Sequence, residues 1–176
     1  MNKFLLFIVF LSGITFGTSA QTKPSTQLSI GGEFGFPVGQ AASVYGSVVG
    51  ASVKLELPVS QAPFYFTVTA GITDYLVKLT YAGSLNPATY VPVEAGGKYY
   101  FSKISYVEGD LGWSSNINNN YTAAKGAFIF APVIGFSAPV YKKKTKIDIG
   151  LRYEGRVEKG GTVGQIAGRL AYRFGL

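Results

Sequence analysis

Glu108 and Asp110, in ISYVEGDLGW at residues 104 to 113, are two carboxylates two positions apart on one face of an extended chain. A pair of carboxylates is the minimum equipment of a glycosidase, one as acid and the other as base or nucleophile. The four arginines of the chain could take these carboxylates, and ion pairing accounts for the spacing more simply than catalysis does. Composition narrows the remaining chemistry. The chain has no histidine and no cysteine, which excludes histidine-dependent serine and cysteine triads, histidine metal sites and cysteinyl clusters. GGEFGFPVG and VEAGGK are rich in glycine. Neither has the GxxxxGK spacing or the strand–loop–helix context of a phosphate cradle. No catalytic, cofactor-binding or metal-ligating residues are expected.

The charged residues follow a different rule. Glu33, Lys54, Glu56, Glu94, Lys98, Glu108, Asp110, Asp148, Arg152, Glu154, Arg156, Arg169 and Arg173 all occupy the polar phase of segments that alternate with period two. They comprise seven acids and six bases, although the whole chain carries a formal charge of +7. A solvated face has no need of such balance. A narrow, partly dehydrated interior does, because a buried charge is costly unless paired. The one basic run, Lys142-Lys143-Lys144 with Lys146, reads as a solvated turn. No RNA- or DNA-reading motif accompanies it, so nucleic acid is not an expected partner.

The elements that must position these charges are extended. LSIGGEFGF (28–36), GASVKLEL (50–57), FYFTVTAGIT (64–73), YVPVEAGGKYYF (90–101) and ISYVEGDLGW (104–113) alternate apolar with polar residues. KIDIGLRYEGRV (146–157) is the clearest, setting Ile147, Ile149, Leu151, Tyr153 and Val157 against Lys146, Asp148, Arg152, Glu154 and Arg156. GAFIFAPVIGF (126–136) is apolar on both faces, and a terminal segment at about 162–175 makes eight. No 3.6-residue periodicity is long enough for a helix. Eight consecutive strands with short connections imply antiparallel neighbours, and closure would remove every unpaired edge. The expected fold is all-β: an eight-stranded antiparallel up-and-down barrel. Periodicity alone leaves open a sandwich of two four-stranded sheets.

The N-terminus sets the compartment. MNKFLLFIVFLSGITFGTSA has Lys3, an apolar run from Phe4 to Leu11, and the small residues Thr18-Ser19-Ala20, the pattern of a secretory signal peptide cleaved after Ala20. Residues 1–20 are therefore expected as signal, 21–26 as a short lead-in and 27–176 as the barrel. Nothing beyond Leu11 runs for 18 apolar residues, so no membrane helix is available. The 47% hydrophobic and 14% charged composition is apolar for a soluble protein.

Alternation defines two faces without saying which is inside. The aromatics favour an apolar outside. With the mature N-terminus periplasmic, Phe64, Phe66, Tyr99, Phe101, Phe136, Tyr172 and Phe174 collect near the periplasmic rim. Trp113, Phe34 and Phe36 collect near the other. Two aromatic bands at interfacial depth belong to lipid-facing barrels with a polar lumen. The final segment QIAGRLAYRFGL, with Gly168, Leu170, Tyr172 and Phe174 on one face and Arg169 and Arg173 on the other, resembles the last strand of the small outer-membrane β-barrel family of Gram-negative bacteria. In that family a terminal strand of alternating hydrophobic residues ending in an aromatic is read by the assembly machinery. Here Gly175 and Leu176 follow Phe174, and Leu176 keeps the phase.

The resemblance implies an outer-membrane barrel, delivered by export through the inner membrane and expected as a monomer; the lack of histidine argues against enzymatic activity. Its partners would be outer-membrane lipids and the outer-membrane assembly machinery. An extracellular protein or glycan could bind at the connections 74–89 and 114–125. Inward charges on eight strands would leave the lumen largely occluded, giving a structural or surface-interaction role. A narrow small-solute channel and a soluble lipocalin-like ligand-binding barrel are the alternatives.

Overall fold

The computed structural model describes residues 25–59, 62–118, 125–140, 145–158 and 161–176. The expected signal peptide, most of the lead-in and Lys142–Lys144 lie outside the described residues. Eight strands follow in chain order: β1 (Gln27–Val38), β2 (Tyr45–Pro58), β3 (Phe64–Val77), β4 (Ala88–Tyr100), β5 (Ser105–Asn116), β6 (Gly126–Pro139), β7 (Thr145–Glu158) and β8 (Gly161–Gly175). Each pairs antiparallel with the next, and β8 returns to β1 to close a barrel. The closing register runs from Gln27 opposite Gly175 to Val38 opposite Gly164. This ring removes the two-sheet alternative and leaves no strand with a free edge.

The faces are inverted relative to a soluble barrel. On β7, Ile149 and Leu151 point outward and are more than half exposed, whereas Asp148, Arg152, Glu154 and Arg156 are buried. Around the barrel the same outward phase exposes Ile30, Val53, Val68, Val93, Leu111 and Leu170. A lipocalin-like arrangement needs these side chains in a shared interior, so it is excluded. An apolar outside with a polar inside is the arrangement of a transmembrane barrel, where lipid takes the place of water. β6, apolar on both faces in the sequence, resolves into outward Phe128, Ile134 and Phe136 and inward Ala127, Ile129, Ala131 and Val133.

Two ends differ in their connections. The β2–β3, β4–β5 and β6–β7 connections lie at one end, the turn end, and the β1–β2, β3–β4, β5–β6 and β7–β8 connections lie at the other, the loop end. Strands extend further toward the loop end than alternation suggests. β3 continues to Val77 and β4 begins at Ala88, so the connection expected at 74–89 shortens to 78–87. β2 begins at Tyr45, with a register shift between Tyr45 and Ser47. Such an irregularity inserts a residue and puts Tyr45 and Val48, three apart, on the same inner side. Between β1 and β2, residues Gly39–Ser43 form a 3-10 turn that buries Ala41.

Aromatic rings lie over glycines on adjacent strands. Phe64 covers Gly97, Trp113 covers Gly126, Phe130 covers Gly155, and inside the barrel Tyr106 covers Gly135. A Cβ at Gly135 would stand 2.5 Å from the Tyr106 ring and 2.6 Å from the Ile149 carbonyl oxygen. The missing side chain is what lets the ring lie flat against the curved sheet. Gly135→Ala should therefore destabilise the barrel by about 1–3 kcal/mol, measured by urea unfolding in bilayers. Gly109→Ala is the control, because a Cβ there meets nothing within 4 Å. Equal stability of the two variants would contradict this packing.

Candidate functional site: the barrel interior

Period two brings the inward charges of six strands, β1, β2, β4, β5, β7 and β8, into one column. Lys54, Glu56, Glu94, Lys98, Glu108, Asp110, Asp148, Arg152, Glu154, Arg156, Arg169 and Arg173 are buried. The Glu33 side chain retains 10% exposure.

Nearest the turn end, Lys98 Nζ donates to Glu56 at 2.8 Å and to Asp148 at 2.9 Å. Arg173 donates to the other Glu56 oxygen at 2.8 Å and lies 3.3 Å from Asp148. It also bonds Ser137 and the Tyr100 hydroxyl. Beside this group, Lys54 pairs with Glu108 and lies 3.6 Å from Asp110, which accepts from Thr67 at 2.8 Å. Glu108 and Asp110 thus share a lysine. Both of their side chains are buried, at 1% and 0% exposure.

Further along, Glu33 stands opposite Arg169 in the closing register, 3.5 Å away, with Ser52 bridging them at 2.9 Å on each side. Arg152 then donates two bonds to Glu94 and one, at 2.6 Å, to Glu154. A cavity of about 10 Å³ lies beside Arg152, lined by Glu33, Ser52, Thr69, Glu94 and Glu154. That is room for about a single water. At the loop end Arg156 donates to Glu158 at 2.6 Å and to Ser114 at 2.9 Å.

Tyrosines bound the column on both sides, a feature that alternation alone does not announce. At the turn end the rings of Tyr65, Tyr100 and Tyr106 follow one another at 5.7 and 5.6 Å, with Lys98 Nζ 3.9 Å from the Tyr106 ring. At the loop end Tyr45, Tyr75 and Tyr90 are spaced 5.6 and 5.4 Å apart, and the Arg156 guanidinium lies 3.8 Å over Tyr90. Ala41, Val48 and Ala88 pack with the latter three into a small apolar core. A cation over an aromatic face is attracted by the ring quadrupole, more so when both are dehydrated. The column is therefore ionic in the middle and aromatic at its ends. The signal was present in the sequence: Tyr65 and Tyr106 share the polar phase with the charges.

The outer surface divides similarly. Phe64, Phe66, Phe101, Phe136 and Tyr172 are exposed toward the turn end, and Tyr99 and Phe174 are half-buried there. Phe34, Phe36 and Trp113 are exposed toward the loop end, joined by Phe128. On β8, Gly168, Leu170 and Tyr172 face outward, with the Phe174 ring 6.3 Å from that of Tyr172. Among the described residues no group of three or more His, Cys, Asp or Glu side chains could hold a metal ion.

This fold is that of the small eight-stranded outer-membrane β-barrels. By sequence, no protein-family model and no curated protein matches the chain. Among solved structures it is similar to the Neisserial surface protein NspA, with TM-score 0.66 and 12% identity, over 89% of this chain and 100% of that one. It is also similar to Ail, the attachment invasion locus protein of Yersinia pestis, with TM-score 0.58 and 16% identity over 87% and 100%. Ail in complex with the heparin analogue sucrose octasulfate matches with TM-score 0.55 and 15% identity, over the same shares of the two chains.

Proposed function

We propose that this chain is a non-enzymatic barrel of the outer membrane, with an occluded lumen and a structural or surface-interaction role. One observation carries the reading: large apolar side chains cover the outside while paired charges fill the inside between two tyrosine layers. Outer-membrane lipids meet the exposed face. The turn end is periplasmic and the loop end extracellular, in keeping with the shorter turns and longer loops of such barrels. Gly168, Leu170, Tyr172 and Phe174 present the terminal strand to the assembly machinery during insertion. Function beyond scaffolding resides at the loop end, where an extracellular protein or glycan would be met. The likeness to Ail supports a surface-interaction role, since Ail has been solved in complex with the heparin analogue sucrose octasulfate.

Planar-bilayer recording on purified, refolded protein tests the occluded lumen. The expected result is an absence of stable channels, because eight strands leave little space beyond the side chains they enclose. Steady ion-selective currents that reverse selectivity on Arg152→Glu would overturn it and make the protein a narrow small-solute channel.

A further inference from the structure

One inward cation is left out of the ionic column. Lys54, Lys98, Arg152, Arg156, Arg169 and Arg173 each lie within ion-pair distance of an acid. Lys146 shares their phase on β7. It has no such partner among the described residues, which include all nine acids of the chain. Its neighbours explain why. Arg173 stands directly opposite on β8, and Pro139 directly opposite on β6. The nearest acid in sequence, Asp148, is already engaged: one oxygen accepts from Lys98 at 2.9 Å and the other lies 3.3 Å from Arg173. Like charges directly opposite on paired strands repel. This corner of the barrel is short of a negative charge.

Its position says what could supply one. Lys146 is half-buried at the turn-end mouth of the lumen. The next residue, Ile147, takes the lipid-facing phase, so the ammonium is set on the lumen side of the wall. The turn-end connections carry no acid, and Lys103 stands exposed on one of them. Such a mouth draws anions that arrive through water. Tyr65, also half-buried, lines the same mouth, its ring 5.7 Å from that of Tyr100. The Tyr100 hydroxyl is engaged by Arg173, whereas that of Tyr65 has no hydrogen-bond partner among the described residues. An ammonium with three donors and a phenolic hydroxyl suit an anion with several acceptor oxygens better than a halide.

We propose that the turn-end mouth binds a small, water-borne oxyanion of the phosphate class, its charge on Lys146 and a further oxygen on the Tyr65 hydroxyl. The site is separate from the loop-end role and stands or falls without it. Urea unfolding of the refolded barrel in phosphatidylcholine vesicles tests it, with sodium phosphate set against sodium chloride at equal ionic strength. A ligand that binds only the folded state raises the unfolding midpoint. Phosphate should raise the wild-type midpoint saturably, and chloride should not. Lys146→Gln should weaken the apparent phosphate affinity on the order of tenfold, Tyr65→Phe should weaken it too, and Lys146→Arg should keep it. In chloride, Lys146→Gln should be at least as stable as wild type, because it relieves the repulsion from Arg173. That result separates loss of the ligand from loss of structure. Lys125→Gln, at the loop end, should leave the phosphate response unchanged. Equal phosphate responses of wild type and Lys146→Gln would overturn the proposal, as would an equal rise with chloride, which would mean screening alone. Vesicles containing phosphatidylglycerol, without added phosphate, distinguish the source. A rise there that depends on Lys146 would make the anion a lipid headgroup and overturn the water-borne site.

Discussion

Arg152→Met should lower the stability of the bilayer-embedded barrel by about 3–5 kcal/mol. Arg152 is the ion-pair partner of both Glu94 and Glu154, and all three side chains are buried. Methionine has comparable length and no charge, so the variant leaves two carboxylates without their cation in a dehydrated space. The loss measures that uncompensated charge, and the net value of the intact triad is smaller, because ionising it inside the barrel already opposed desolvation. A second variant separates the two. Arg152→Met combined with Glu94→Gln and Glu154→Gln removes the charges together and should recover most of the loss. Reversible urea unfolding, followed through the single tryptophan Trp113, gives both numbers. A cost for Arg152→Met below about 1 kcal/mol, the range of solvated surface pairs, would show that water reaches this level of the lumen. The occluded-interior reading would fall with it.

Leu151→Arg should cost about 2–4 kcal/mol in bilayers, and Phe101→Arg about 0–1. Leu151 stands near the middle of β7 and is 56% exposed, whereas Phe101 is 54% exposed just beyond the end of β4. Their exposures are nearly equal, so a barrel standing in water would tolerate both. Lipid distinguishes them by depth, because the midplane gives a guanidinium no water while the rim lets it reach the headgroups. The comparison therefore reads the surrounding medium rather than the packing of either residue. Similar small costs for the two variants would place the outer face against water.

The alternating segments made most of the fold legible. Counting in twos from Ile147 to Val157 separates the two faces of β7, and eight such segments leave closure as the simplest end to their edges. The strand limits at the loop end were harder to see. Asp74, Thr89 and Ser115 blur the apolar phase there, and the irregularity at Tyr45 and Ser47 breaks the count altogether. Inward direction was likewise legible residue by residue, whereas most partnerships were not. Arg152 on β7 reaches Glu94 on β4, and Lys98 on β4 reaches Asp148 on β7. These pairs join strands that are not neighbours, and the barrel's diameter and stagger decide them. Glu33 with Arg169 differs, since closure alone sets β1 beside β8. Tyrosine was the residue that alternation treats worst. Its ring suits either phase, and only the cations beneath Tyr90 and Tyr106 show why the inner one prevails.

The closing seam also governs the order of events as the chain folds. β1 and β8 pair along the full length of β1, yet they lie at opposite ends of the barrel sequence. The other seven pairings join strands consecutive in the chain. A contact between such distant segments loses the most chain entropy on forming and is the slowest kind to make. Until it forms, both strands present bare edges able to recruit another chain. Where they meet, Gly31 faces Ala171 and Gly35 faces Ala167 on the inner side. These small residues let the two backbones approach on either side of the Glu33–Arg169 pair. Closing the last seam is therefore also what brings that ion pair together.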